Sequence, residues 1–425
     1  MHLLLLGLNH AVAGVELREQ AVVDAAGLPR ALALLQGRRE LSGAMVLSTC
    51  GRTEVYATGG HLGPMTAAVR GCLLRIHPEG YPLYADRLYL KADREAAWHL
   101  FRVASGTDSL LVGESQVLGQ VRSAVRAARR SGRLDPLLEG TADRAVAAAR
   151  RARMGSSIGR GAVSVGGAAA AFASEALGSV AGASVLVLGA GEVGETVVRA
   201  LHKAGAQVTV ASRSGATARV LAERWGGEEV PLEGLAARLA AADVLVCASS
   251  AKRRLVTLPL LRGALEGRAR PLAVVDLAVP RDVDPDAAAL PGVSYVDVDG
   301  LSRRVLAARA RRRGVLEAAE AILEAEIASW EVWRRTATAA PTMAGITAYA
   351  DEVRARELER ALRGLDLDPA VRRRMEALSR SLVSKLLLHP ITYLRSNPQD
   401  AAAAELLERI FRDSSGTPTP APPPE

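Results

Sequence analysis

Aromatic side chains make up only 3 % of this 425-residue chain, which argues against an all-β sandwich built on an aromatic core. Alanine supplies much of the 49 % apolar content and favours helix-rich α/β architecture instead. Cysteine is scarcer still. Cys50, Cys72 and Cys247 are odd in number and widely spaced, with no Cys-x-x-Cys and no Cys/His cluster, so neither a disulfide framework nor a metal site is indicated. No apolar run approaches the ~20 residues that span a bilayer. The amino-terminal run Leu3-Leu4-Leu5-Leu6 lacks a basic flank and passes directly into Asn9-His10, so it reads as a first strand. These absences predict a cytoplasmic protein with no membrane partner.

The chain is too long for one ordinary core, and two or three domains are expected. Up to residue 155, short apolar strands at 3–8, 44–47 and 87–90 mix with helical patterns at 96–104 and 117–131. From 156 to 300, a small-residue helix at 162–177 precedes an alternation of strand and helix: 184–188, 193–204, 207–211, 217–225, 244–247 and 272–276. That rhythm predicts a parallel, doubly wound sheet. From 301 to 413 the texture is long helix, with Leu306, Val315, Leu316, Ala319, Leu323, Ile327 and Trp330 near helical spacing. Arginines crowd 303–313 and glutamates follow, a pattern of a solvated face. Val371, Met375, Leu378, Leu382 and Leu386 suit a bundle or a dimer interface. The Pro/Ser/Thr-rich residues 414–425 are expected to be disordered. The formal charge of +8 is compatible with a polyanionic partner such as RNA.

Two segments carry chemistry. Val46-Leu47-Ser48-Thr49-Cys50-Gly51-Arg52-Thr53-Glu54 ends an apolar run in a cysteine flanked by hydroxyls and an arginine. A nearby guanidinium favours the thiolate, the attacking form, and is also a fork for a carboxylate. Nucleophile and substrate clamp then sit two residues apart; alternatively Cys50 is a small buried hydrophobe at a strand end. The second segment, Gly189-Ala190-Gly191-Glu192-Val193-Gly194, follows a short apolar strand and opens an amphipathic helix. Gly189 permits the tight turn, Gly191 lets backbone approach a pyrophosphate, and Gly194 allows close helix packing. The next strand ends Ser212-Arg213-Ser214 with no carboxylate, so a hydroxyl and a guanidinium are placed for a 2′-phosphate, which favours NADP. Asp276 to Pro285 leaves a strand end into a proline-bounded loop expected on the nicotinamide side.

A thiol nucleophile and an NADP site together suggest reduction of an enzyme-bound thioester. In order along the chain, several segments resemble the glutamyl-tRNA reductase family: Gly7-Leu8-Asn9-His10 with Arg18-Glu19, the Cys50 segment, and His99 to Gly106. Asp108-Ser109 with Glu114, Gln116 to Val121, Gly161 to Val165, the glycine turn, Asp276 to Pro285 and Lys385 to Pro390 complete the match. The resemblance implies an N-terminal α/β catalytic domain, a Rossmann-like doubly wound NADP domain, and a C-terminal all-helical dimerisation domain joined by a long helix.

It further implies Cys50 as the nucleophile that takes glutamate from charged tRNA, with His99 needed for activity. Thr49, Gly51, Arg52, Ser109, Glu114, Ser115, Gln116 and Gln120 are implied for the substrate. NADPH is the implied cofactor, on Gly189 to Gly194 with Ser212 and Arg213. A homodimer and transient handover to glutamate-1-semialdehyde aminomutase follow as implied partners. The sequence departs from the family's usual pattern at Gly51, normally Asn, and at Gly14 and Ser115, normally Pro. Two other readings stand beside it: a shikimate-type NADP dehydrogenase of a small molecule, and a non-catalytic NADP- or tRNA-binding paralogue.

Overall fold

The computed structural model describes residues 1–110, 112–114, 116–132, 134–156, 158, 164–306, 313–363, 365, 368–397 and 400–412. It divides into two compact units, one from Met1 to Ile327 and one from Ala328 onwards.

The first unit opens with an antiparallel sheet of β1 (His2–Asn9), β2 (Gly43–Thr49), β3 (Arg52–Gly59) and β4 (Tyr89–Ala92), in the order β2-β3-β1-β4. The leucine run of β1 is buried throughout. Leu4 and Leu6 join Ala31, Leu32 and Leu35 of α2 (Leu28–Gln36) and Val69 and Leu73 of α3 (Leu62–Ile76) in one core. Strand alternation turns Leu3 and Leu5 the other way. Between β1 and α2 lies the short α1 (Val15–Glu19), and α4 (Tyr81–Tyr84) precedes β4. β4 starts two residues later than expected, because Ala85–Arg87 form a 3-10 turn. Then follow α5 (Asp93–Ser105), α6 (Gln116–Arg130) and α7 (Pro136–Gly155), the last capped by the Asp135 side chain.

The same unit contains a six-stranded parallel sheet. Its elements are α8 (Val165–Leu177), β5 (Ser184–Leu188), α9 (Glu192–Lys203), β6 (Gln207–Ala211), α10 (Gly215–Arg224) and β7 (Glu228–Val230). They continue with α11 (Leu235–Ala241), β8 (Val244–Cys247), α12 (Leu258–Leu265), β9 (Leu272–Asp276), β10 (Val293–Asp297) and α13 (Val298–Leu306). The order β10-β9-β8-β5-β6-β7 reverses direction at β5, and such a switch point opens a crevice at the carboxyl ends of the strands. Valines of β5, β6, β8 and β9 fill the core under α8 and α9. The Ser164 side chain caps α8; residues 162 and 163 of the expected helix lie outside the described residues.

Helix α14 (Arg313–Leu362) starts in the first unit, where Ala319, Leu323 and Ile327 are buried. The glutamates beside them are not merely solvated. Glu324 pairs with Arg94 at 3.1 Å and Glu320 with Arg102 at 3.5 Å, both on α5, and Glu326 pairs with Arg151 on α7. Of the arginine-rich stretch, 307–312 lie outside the described residues, while Arg304 binds Glu175 at 2.7 Å and stacks over Phe172.

In the second unit, α14 is followed by α15 (Pro369–Ser396) and α16 (Ala401–Arg412). Ile346, Leu387 and Leu394 form a small core with Val383, Ile391, Leu407 and Phe411. Leu378, Leu382 and Leu386 on α15 remain exposed. Residues 414–425 lie outside the described residues. No helix among the described residues is long and apolar enough to cross a membrane.

Candidate active site

Thr49 is the last residue of β2 and pairs with Arg52, the first of β3, so Cys50 and Gly51 are the two residues of a hairpin turn. Backbone and side chains hold this turn from several sides. Gly51 N–H donates to Thr49 Oγ1 at 3.2 Å, His10 N–H donates to the Gly51 carbonyl at 2.9 Å, and Arg18 Nε donates to the Cys50 carbonyl at 3.1 Å. Cys50 is half-buried at the wall of a cleft, and desolvation together with the Glu114 charge pushes its pKa up to about 11, against the pull of Arg18 and Arg52. Arg52 does pull the thiol's pKa down, as expected, but burial outweighs that pull and the net shift is upward. Arg52 directs its hydrogen bonds elsewhere.

Its Nη1 donates to Glu54 Oε1 at 2.7 Å and lies 3.2 Å from His99 Nε2, and its Nη2 donates to the Asp108 carbonyl. Glu54 has no exposed surface and takes three further contacts: Tyr56 Oη at 2.7 Å, Tyr89 Oη at 2.5 Å and His99 Nε2 at 2.8 Å. Burial opposes its ionised form, yet Arg52 and His99 hold the carboxyl well below its usual range. His99 Nδ1 lies 3.3 Å from the Asp108 carboxylate. The histidine thus bridges two acids beneath the turn.

Glu114 lies where the two sheets' domains meet. Burial and the charge of Glu192, in the first turn of α9, raise its pKa to about 7. Gln116 Nε2 donates to Thr196 Oγ1 of α9 at 3.2 Å. Gln120 lines a separate cavity of about 680 Å³ with Ser48 and Gln36. Ser109 is buried, and Ser115 lies outside the described residues.

Over the glycine turn lies a cavity of about 530 Å³, walled by Gly189, Ala190, Gly191, Ser212, Arg213, Ser214 and Ser250. Gly189 has φ +108°, and a Cβ there would stand 2.4 Å from the Ala248 carbonyl oxygen. A Cβ on Gly194 would stand 2.1 Å from the Gly189 oxygen, whereas one on Gly191 would meet nothing within 4 Å. Glu192 and Val193 begin α9, whose N-terminus faces this space without a side-chain cap. A second cleft, about 510 Å³, places Thr49 and Cys50 opposite Ser250, Ala251, Lys252, Val279 and Pro280. Ser250 lines both spaces.

Three family profiles match consecutive parts of the chain: "Glutamyl-tRNAGlu reductase, N-terminal domain" over residues 6–155, "Shikimate / quinate 5-dehydrogenase" over 171–304, and "Glutamyl-tRNAGlu reductase, dimerisation domain" over 318–413. The glutamyl-tRNA reductase of Syntrophotalea carbinolica is 35 % identical, covering 97 % of this chain and 94 % of that protein. That of Chloroflexus aggregans is 37 % identical, with 97 % and 95 % covered. The chain belongs to the glutamyl-tRNA reductase family. Among solved structures, glutamyl-tRNA reductase from Methanopyrus kandleri superposes with TM-score 0.54 at 32 % identity, covering 97 % of this chain and 99 % of that one. The dehydrogenase profile accounts for the parallel-sheet segment alone, so a free-standing small-molecule dehydrogenase leaves the flanking matches unexplained.

Membership in the glutamyl-tRNA reductase family makes the chain an oxidoreductase of the first step of tetrapyrrole biosynthesis. Sequence reasoning placed Cys50, Arg52, His99 and Glu114 among the functional residues but passed over Glu54, Tyr89 and Asp108, which organise Arg52 and His99. The signal was present in part: Glu54 and Tyr56 alternate with apolar residues on one strand, and a carboxylate on a buried face needs a partner.

Proposed function

We propose that this chain reduces glutamyl-tRNA(Glu) to glutamate 1-semialdehyde with NADPH, through a thioester on Cys50. The observation that carries the reading is the shared wall at Ser250, which joins the cavity over Gly189 to Gly194 to the cleft holding Cys50. A dinucleotide laid on the glycine turn has its pyrophosphate at Gly191, where backbone is open, and its adenosine end by Ser212 and Arg213. The absence of an acid at that strand end supports NADPH over NADH. When bound, the cofactor supplies hydride.

The protein's own groups do the rest. Glu114 titrates near neutrality and accepts the substrate's α-ammonium, and the family resemblance assigns Ser109, Ser115, Gln116 and Gln120 to the rest of the substrate. Pairing with an ammonium cancels the Glu114 charge that opposes the Cys50 thiolate, so substrate binding itself activates the nucleophile. The contacts of Arg52 with Glu54, His99 and the Asp108 carbonyl take three of its five N–H groups and leave two for the glutamate carboxylate, and Thr49 and Gly51 fix the turn that presents the sulfur. His99 holds Arg52 and Glu54 in register beneath the turn. The thiolate displaces the tRNA 3′ oxygen, and the resulting acyl-sulfur bond is then reduced, dividing one hard step into two.

Residues 1–155 form the catalytic domain, 156–300 the NADPH domain and 301–413 the spinal helix and dimerisation domain of this cytoplasmic homodimer. The exposed Leu378, Leu382 and Leu386 support assembly through the C-terminal helices. The reactive aldehyde product favours direct handover to the aminomutase. The test is a single-turnover assay with radiolabelled glutamyl-tRNA, with and without NADPH. Label on Cys50 that becomes semialdehyde only with NADPH supports the reading; label that stays on tRNA, or turnover by Cys50→Ser, removes it.

A further inference from the structure

We infer that Arg18 and Asp299 form a strut that registers the Cys50 turn against the nucleotide-binding sheet, and are positioning residues for the hydride step. The inference rests on the function proposed above. Arg18, on α1, is 2 % exposed and bonds through all three guanidinium nitrogens, one N–H going to the Ala13 carbonyl at 2.8 Å. Nη2 and Nη1 donate to the two carboxylate oxygens of Asp299 at 2.7 and 3.1 Å, while Nε donates to the Cys50 carbonyl at 3.1 Å. Asp299 sits in the first turn of α13, directly after the sheet's last strand, and also accepts the Val15 N–H at 3.0 Å. One planar cation therefore spans from the peptide of the nucleophile to the frame that carries the cofactor turn.

Two neighbouring contacts act in the same sense. Arg281, in the loop after β9, grips Glu19 at 2.7 Å and Glu16 at 3.0 Å, the two acids of α1. Ser302, one turn beyond Asp299, donates to the Leu110 carbonyl at 2.9 Å. α1 is thus held on one side by α13 and on the other by the loop that lines the cleft with Pro280. A bidentate Arg–carboxylate pair fixes both distance and plane, which a single hydrogen bond does not. The reaction needs that precision, because an acyl-sulfur bond waits for hydride in a cleft that water can also enter, and ångström errors in placement cost orders of magnitude in rate.

The strut separates two rates that a general loss of fold would lower together. Capturing the acyl group requires Cys50 and the substrate pocket alone; reducing it requires the nucleotide sheet in register. In full-length protein, Asp299→Asn keeps the shape of the side chain and removes its charge. We expect acylation of Cys50 within about threefold of wild type, and a semialdehyde-to-glutamate ratio from the preformed thioester lower by about tenfold or more. Arg18→Lys, which also frees the Cys50 carbonyl, slows acylation as well. The double variant partitions no worse than Arg18→Lys alone, since the two side chains act through one contact. An unchanged product ratio in Asp299→Asn, or equal losses in acylation and reduction, overturns the inference. Backbone amide exchange reads the strut without turnover: Asp299→Asn should raise exchange at residues 15–19 and 298–302, and unchanged protection there overturns it too. Wild-type protein that never acylates Cys50 removes the functional reading instead and leaves the exchange result to decide the strut.

Discussion

Arg52 and Glu54 stand two residues apart on strand β3, so their side chains share a face, and the guanidinium meets the carboxylate at 2.7 Å with almost no solvent access to either. Neither charge is stable there without the other. Glu54→Gln leaves a buried guanidinium without its counter-charge, a loss of about 3–5 kcal/mol for pairs of this kind. Urea unfolding of the variant should show a midpoint far below wild type. A midpoint within experimental error would mean that Asp108 and His99 suffice to hold Arg52.

The raised pKa of Cys50 sets the pH dependence of its reactivity. With the thiol near 11, the thiolate fraction grows about tenfold per pH unit from 7 to 9, and alkylation by iodoacetamide should follow it with no plateau in that range. Glu114 is ionised above about 7 and then opposes the thiolate, so Glu114→Gln lowers the Cys50 pKa and speeds alkylation several-fold at pH 8. Cys72 and Cys247 are buried and serve as internal controls in peptide mapping. A flat profile, or one indifferent to residue 114, would show that the Glu114 charge does not reach the sulfur.

Four strands of the parallel sheet were readable from the chain because they are short, apolar and bounded by turn residues; β5, β6, β8 and β9 begin and end where periodicity puts them. β7 and β10 were not readable, since Glu228–Val230 is three residues long and Val293–Asp297 mixes polar and apolar residues without a regular period. β3 was hidden for a related reason. Arg52, Thr53 and Glu54 look like a polar loop in sequence, and only the tertiary pairing of Arg52 with Glu54 lets them lie in a buried strand. Proximity along the chain told only part of the story: the arginine two residues from Cys50 directs its hydrogen bonds to Glu54, His99 and the Asp108 carbonyl, while Arg18, 32 residues distant, touches the Cys50 carbonyl and pulls the thiol more strongly.

Gly51 is not required by backbone conformation, since neither it nor Cys50 has a left-handed φ. A Cβ at this position would lie 3.1 Å from Leu110 Cδ1, the movable end of a side chain, and 3.9 Å from His10 Nδ1. Among the described residues that nitrogen is buried without a hydrogen-bond partner, and burial and Arg52 lower the histidine's pKa to about 4, leaving a neutral ring able to accept. Gly51→Asn should therefore fold, donate to His10 and gain about 1 kcal/mol, read as a raised melting temperature with acylation retained or faster. A melting temperature several degrees lower would mean that Leu110 cannot yield.

Under the proposed function, Arg213 selects between the two nicotinamide dinucleotides. Its Nη2 donates to Ser250 Oγ at 3.2 Å, which holds the guanidinium at the wall of the cavity beside Ser212 and Ser214. A charge-assisted pair with a 2′-phosphate exists only for NADPH, since NADH presents a neutral hydroxyl at the same place. Arg213→Ala should weaken NADPH binding by about tenfold or more and leave NADH binding within about twofold, as measured by quenching of tryptophan fluorescence or by calorimetry. Equal weakening of both would assign Arg213 to the shape of the cavity through Ser250, and the preference for the phosphorylated nucleotide would then have to come from the hydroxyls of Ser212 and Ser214.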